Sequence, residues 1–160
     1  MEMISNEEKI TQAVLVSVDT GDYDAEASLA ELKELVKSAG AEPVFTVTQN
    51  LKRPETGTYV GTGKLQEIAD ICKQQEIDLL VFDCELSPTQ IRNIEAETDT
   101  RTIDRTMLIL DIFALRARSK EGKLQVELAQ LKYLMPRLTG KGVAMSRLGG
   151  GIGTRGTGET

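Results

Sequence analysis

Histidine and tryptophan are both absent from the 160 residues, and Tyr and Phe number three each. Without imidazole there is no His general base, no Ser-His or Cys-His nucleophile, and no use of the commonest nitrogen ligand for metals. Two cysteines remain, Cys72 and Cys84, twelve positions apart. That interval fits neither CxxC redox chemistry nor a zinc clip, so both are read as reduced, buried packing thiols. No apolar run exceeds four residues, as at Leu79 to Phe82, far short of the ~20 needed to span a bilayer. The first eleven residues combine charge with neither a basic segment nor an apolar stretch, so no secretory signal is read and a cytosolic protein is expected.

What is present first shows as an uneven charge. Residues 1–103 hold 9 Lys/Arg against 20 Asp/Glu, and residues 104–160 hold 10 against 5, so a front of net −11 is joined to a tail of net +5. Such a split is the footprint of a polyanion, nucleic acid above all, bound at one end. A solvated basic helix face gives the same count.

Short aliphatic runs at Ala13–Val18, Pro43–Val47 and Leu79–Phe82 alternate with helical patterns. Leu29, Leu32, Leu35 and Val36 form one apolar stripe ending before Gly40, and Leu65, Ile68, Ala69 and Cys72 form another. Ser87-Pro88 is an N-cap followed by proline at the first helical position, opening a short helix through about Glu95, and Thr102-Ile103 is a last short strand. The rhythm predicts an α/β subdomain over 1–103, a mainly parallel sheet flanked by helices.

From Asp104 to the neighbourhood of Pro136 the helical pattern is nearly uninterrupted, and 104–139 is read as a long projecting arm. At 100° per residue, Leu110, Phe113, Ala117, Leu124, Leu128, Leu131 and Met135 form one seam, with Leu108, Ile112, Leu115, Val126 and Tyr133 nearly opposite. A helix apolar on two sides needs a partner on each, and the sheet supplies only one. The interval Ser119 to Gly122 is the weak point, where a kink or a division into two helices is the alternative. Residues 140–160 contain eight glycines, a composition that suits either a flexible linker or a loop approaching phosphate.

Three groups of residues carry candidate chemistry. Gly61, Gly63 and Lys64 open the second helix as a weak anion seat, but the Walker spacing fails: Thr58 stands where its first Gly belongs and Leu65 where the metal-binding hydroxyl belongs. The turn at Gly140-Lys141-Gly142 fails too, with Met135 at the required glycine position. Asp19, Asp83 and Glu85 follow predicted strands on the edge where parallel sheets bind ligands, or else serve turn chemistry. Finally, Arg116, Lys120 and Lys123 fall on one helix face, joined by Arg118, Lys132, Arg137, Lys141, Arg147 and Arg155. With no aromatic platform among them, these suit the backbone of a structured RNA better than unstacked bases.

Several stretches together carry a family likeness. Arg53-Pro54 with Thr58–Lys64, Val81–Gln90, Ile103–Thr106 running into Leu110–Ala114, Glu121–Leu131, and RLGGGIGTRGTGET from Arg147 resemble the N-terminal region of HflX GTPases. The resemblance implies a module of a ribosome-associated protein, engaging the large subunit's RNA and helping to dissociate stalled or stressed ribosomes. It implies that the glycine-rich loop (Gly149, Gly150, Gly151, Gly153, Gly156 and Gly158) leads into a second helix pairing with the arm. A G domain holding GTP and Mg follows in that family, so no catalytic residue, metal or cofactor is expected within these 160 residues. The family's loop ending has proline where this chain has Thr157, which leaves the loop less rigid. Expected partners are the large ribosomal subunit and its rRNA, the second helix and G domain of a longer chain, and a second copy through the exposed seam. The alternative is a small-molecule-binding α/β domain near Asp19, Asp83 and the Gly61 turn, with the helix as an oligomerisation arm.

Overall fold

The computed structural model describes residues 9–138. Four parallel strands, β1 (Thr11–Asp19), β2 (Ala41–Asn50), β3 (Leu79–Phe82) and β4 (Arg101–Asp104), form one sheet in the order β2-β1-β3-β4. β1 is central, and Ala13 to Val18 are all buried, as the unbroken aliphatic run requires of a strand covered on both faces. Its register sets Val16 beside Val47 on one side and Phe82 on the other. β2 is an edge strand, and its pairing slips by one residue after Pro43, leaving Val44 without a partner on β1. A proline without an N–H and a bulge are tolerated there because one side of the strand faces no neighbour.

Helices α1 (Ala25–Ser38), α2 (Thr62–Gln74) and α3 (Pro88–Thr98) connect the strands. Right-handed crossovers put α1 on one face, and α2 with α3, which pack together, on the other. α1 ends where expected, with Gly40 at φ 92° as the residue that turns the chain into β2. α3 opens on the capping box between Ser87 and Gln90. The core is continuous across both faces and includes Leu15, Leu32, Ile68, Leu80, Phe82, Ile91 and Ile94, each at most 1 % exposed. The fold class is therefore the α/β arrangement that the sequence implies. No helix among the described residues is long and apolar enough to cross a membrane.

The helical segment after β4 takes the divided form. α4 (Arg105–Arg116) and α5 (Lys120–Leu134) are separate helices, followed by a single 3-10 turn at Met135–Arg137. α4 lies on the sheet beside α1, burying Met107, Leu108 and Ile112. The chain leaves helical geometry at Ala117 (ψ 132°) and restarts at Ser119, whose hydroxyl accepts the Gly122 N–H at 2.9 Å. Gly122 is not the breaking point; a Cβ there would stand 2.9 Å from the Ser119 oxygen, so the glycine lets the cap close. α5 then runs back along α4 until Tyr133 reaches Asp104, the N-cap of α4.

Candidate nucleic-acid interface

The hairpin gathers basic residues at its tip. Arg116 ends α4, Arg118 lies in the turn, and Lys120 and Lys123 stand in the first turns of α5, all four exposed. None forms an ion pair with another described residue. The expectation of one continuous face through Arg116, Lys120 and Lys123 is corrected: the break at Ala117 to Ser119 divides them between two helices and clusters them around a turn. A twelve-residue α4 sets that turn about 18 Å along the helix from the C-terminal end of β4. Lys132 is exposed near the far end of α5.

Arg137 is placed differently from the other cations. Its Nε donates to the Leu86 carbonyl at 3.0 Å and its Nη1 to the Tyr133 carbonyl at 3.1 Å, and the guanidinium lies 3.7 Å from the Tyr133 ring centroid. Asp104 is 4.0 Å away. Arg137 is thus corrected from a phosphate contact to a tie between the end of the arm and the loop before α3. Lys141, Arg147, Arg155 and the loop glycines from Gly149 to Gly158 lie outside the described residues.

Asp104 is the residue the sequence pattern missed. Its fully buried carboxylate accepts from the Met107 N–H (2.9 Å), the Leu86 N–H (2.9 Å) and the Tyr133 hydroxyl (2.7 Å). Burial raises its pKa above the usual carboxylate value, outweighing the opposing pull of these donors and of Arg137. Burial, reinforced by the adjacent carboxylate, likewise raises the Tyr133 phenol. An Asp directly before a helix signals an N-cap; its contacts with Leu86 and Tyr133 require the folded chain.

The carboxylates at the sheet edge are used within the fold. Asp19 Oδ1 accepts from the Gly21 N–H at 2.9 Å, closing a turn. Asp83, buried, accepts from Arg105 at 2.7 Å, and that guanidinium also reaches Glu31 at 2.6 Å. Glu85 accepts from the Thr106 hydroxyl at 3.1 Å. The three share an edge, and each accepts from a different partner.

At the Gly61 turn the amide N–H of Gly61 donates to Gln49 Oε1 at 2.9 Å, and Lys64 pairs with Glu67 at 3.2 Å. A Cβ on Gly61 would approach Gln49 Nε2 to 3.3 Å, so the glycine admits a packed side chain. The loop leading to it is held by α3: Asn93 donates to the Gly57 carbonyl, and Gln90 to those of Glu55 and Thr56. Both cysteines are free thiols, Cys72 buried and Cys84 partly so, and desolvation raises the pKa of each.

Residues 26–114 match the family described as GTP-binding GTPase N-terminal, and residues 116–160 match GTP-binding GTPase middle region. The two matches meet at Leu115, in the last turn of α4. The class is therefore the N-terminal and middle portion of a GTP-binding GTPase. The chain is 55% identical over 153 residues to the GTPase HflX of Alkalihalophilus pseudofirmus, covering 94% of this chain and 36% of that protein. It is 51% identical over 150 residues to the GTPase HflX of Escherichia coli, with 93% and 35% covered.

Among solved structures, the complex of SsGBP with GDP is similar at TM-score 0.62 and 31% identity, over 86% of this chain and 40% of that one. A GTP-binding protein from Sulfolobus solfataricus, in complex with GDP, is similar at TM-score 0.59 and 32% identity, over 80% and 38%. The chain belongs to the HflX family of GTPases, as its N-terminal region. It spans little more than a third of the length of the curated relatives it matches.

Proposed function

We propose that this chain is the ribosome-docking and regulatory region of an HflX-type GTPase, and that its hairpin tip contacts the RNA of the large ribosomal subunit. The observation that carries the reading is the cluster of Arg116, Arg118, Lys120 and Lys123, exposed around one turn and forming no ion pair with another described residue. Four like charges on one tip repel each other, and a polyanion relieves the repulsion while releasing its own counterions. The internal pairing of Asp83 with Arg105 leaves the sheet edge less suited to a small ligand, which favours the RNA reading over its rival.

GTP and Mg belong, on this reading, to the remainder of the full-length protein. The chain described here positions that remainder on the subunit during dissociation of stalled ribosomes in the cytoplasm. The exposed stripe of Phe113, Leu124, Leu128, Leu131 and Met135, each at least 53% exposed, is the seat of the second helix of the longer chain.

The test is co-sedimentation with purified large subunits over a salt series, comparing the parent with the triple variant Arg116→Glu, Lys120→Glu, Lys123→Glu. Each lost phosphate contact lowers the slope of log affinity against log salt by ~0.7 to 0.9. Three lost contacts therefore flatten the slope by about 2 to 3. Equal affinity and equal slope in parent and variant would sink the assignment of the tip.

A further inference from the structure

α5 is attached to the rest of the molecule unevenly. None of its fifteen residues is fully buried, and Leu124, Leu128 and Leu131 are more than half exposed. Its polar ties to the sheet unit are concentrated at its C-terminal end: the Tyr133 hydroxyl on Asp104, and Arg137 bridging the Leu86 and Tyr133 carbonyls and stacking on the Tyr133 ring. At the other end is the three-residue connection Ala117 to Ser119. Its extended ψ values at Ala117 and Ser119 are ordinary for these residue types, and neither glycine nor proline fixes them. α4, by contrast, is held to the sheet by three buried apolar side chains. The segment is thus a rigid helix, a short connection and a second helix secured at its far end.

We infer that Asp104, Tyr133 and Arg137 form a releasable latch, and that release lets α5 swing about Ala117 to Ser119 to a new position relative to the sheet. Two arrangements are accessible to the same sequence. In the latched one α5 lies along α4. In the released one Ala117 to Ser119 adopt helical angles, and α4 and α5 extend toward a single helix, which the nearly uninterrupted apolar period of the segment also supports. The latch joins three elements at one carboxylate, because Asp104 also caps α4 and holds the Leu86 N–H at the entrance to α3. A force on α5 is therefore felt at the loop before α3, and a change in that loop is felt at α5. The device is independent of whether the tip binds RNA.

The experiment is a spin-label distance measurement on the 160-residue chain, with labels at Lys73→Cys on α2 and Ala129→Cys on α5 in a Cys72→Ala, Cys84→Ala background. Both label sites are exposed. The parent is expected to give one narrow distance. Tyr133→Phe, which removes a single hydroxyl from the latch while retaining the ring under Arg137, is expected to raise the population at other distances about ten-fold. Tyr133→Phe combined with Arg137→Gln is expected to make that population dominant. The single variant keeps the test informative if the double variant does not fold. A broad distribution in the parent, or a distribution unchanged in Tyr133→Phe and in every folded double variant, would overturn the latch.

Discussion

Replacing Asp104 with alanine strands three donors at once, and the loss can be worked from their surroundings. The Met107 N–H loses its cap, at a cost of ~1 kcal/mol. The Leu86 N–H is left unsatisfied beside a fully buried side chain, costing ~1 to 3 kcal/mol. The Tyr133 hydroxyl loses a charged acceptor, but Tyr133 is only half-buried and water replaces part of that bond, so ~1 kcal/mol is appropriate. Against these stands the relief of no longer burying a carboxylate, which keeps the net near the lower end, about 3 kcal/mol. For a domain stable by ~5 to 15 kcal/mol, that is a substantial fraction of the whole. Urea denaturation with a slope of ~2 kcal/mol/M should show the midpoint lowered by about 1.5 M at unchanged slope. A loss below ~1 kcal/mol at unchanged slope would refute the claim that this carboxylate joins the three elements energetically.

Two further outcomes follow from the same geometry. Because burial raises the Asp104 pKa in the folded chain, the added stability that comes with its protonation is fully present below the unfolded value of 3.8 and is lost as pH rises through the folded one, leaving the hydrogen bonds to the ionised carboxylate. Asp104→Asn does not titrate, so the stability of the parent relative to this variant should fall as pH rises from 3.8, measured by denaturation at several pH values; a relative gain would show that the hydrogen bonds outweigh burial. The exposed stripe on α5 should make the isolated chain self-associate with rising concentration in sedimentation velocity, and Leu128→Glu, at a position 53% exposed, should abolish this; a parent that stays monomeric throughout would refute it.

Period and punctuation make most of the α/β unit legible in the amino-acid order alone. A strand covered on both faces has no choice but an aliphatic run, and Ala13 to Val18 is one. Gly40 and Ser87-Pro88 are local signals whose backbone consequences need no tertiary contact, and each falls where the chain turns. Boundaries are less legible: β2 runs from Ala41 to Asn50, wider than Pro43 to Val47, because pairing with β1 extends it through polar residues. The division between α4 and α5 is legible only as a weak point at Ser119 to Gly122, since Ala117, Arg118 and Ser119 are all compatible with a helix. What divides them is the Ser119 cap and the return of Tyr133 to Asp104, a contact across 29 positions.

Charge is legible as a total and illegible as a surface. Arg137 and Lys132 stand five positions apart in the same basic segment, and nothing in composition distinguishes them. A planar guanidinium can stack on Tyr133 while donating to two carbonyls in fixed directions, whereas a lysine offers a point charge that stays hydrated. That difference in shape puts Arg137 at the latch and leaves Lys132 in solvent. The basic tip therefore consists of the cations for which the fold has no other use, and a set of basic residues becomes a binding surface only after those that hold the structure together are removed from it.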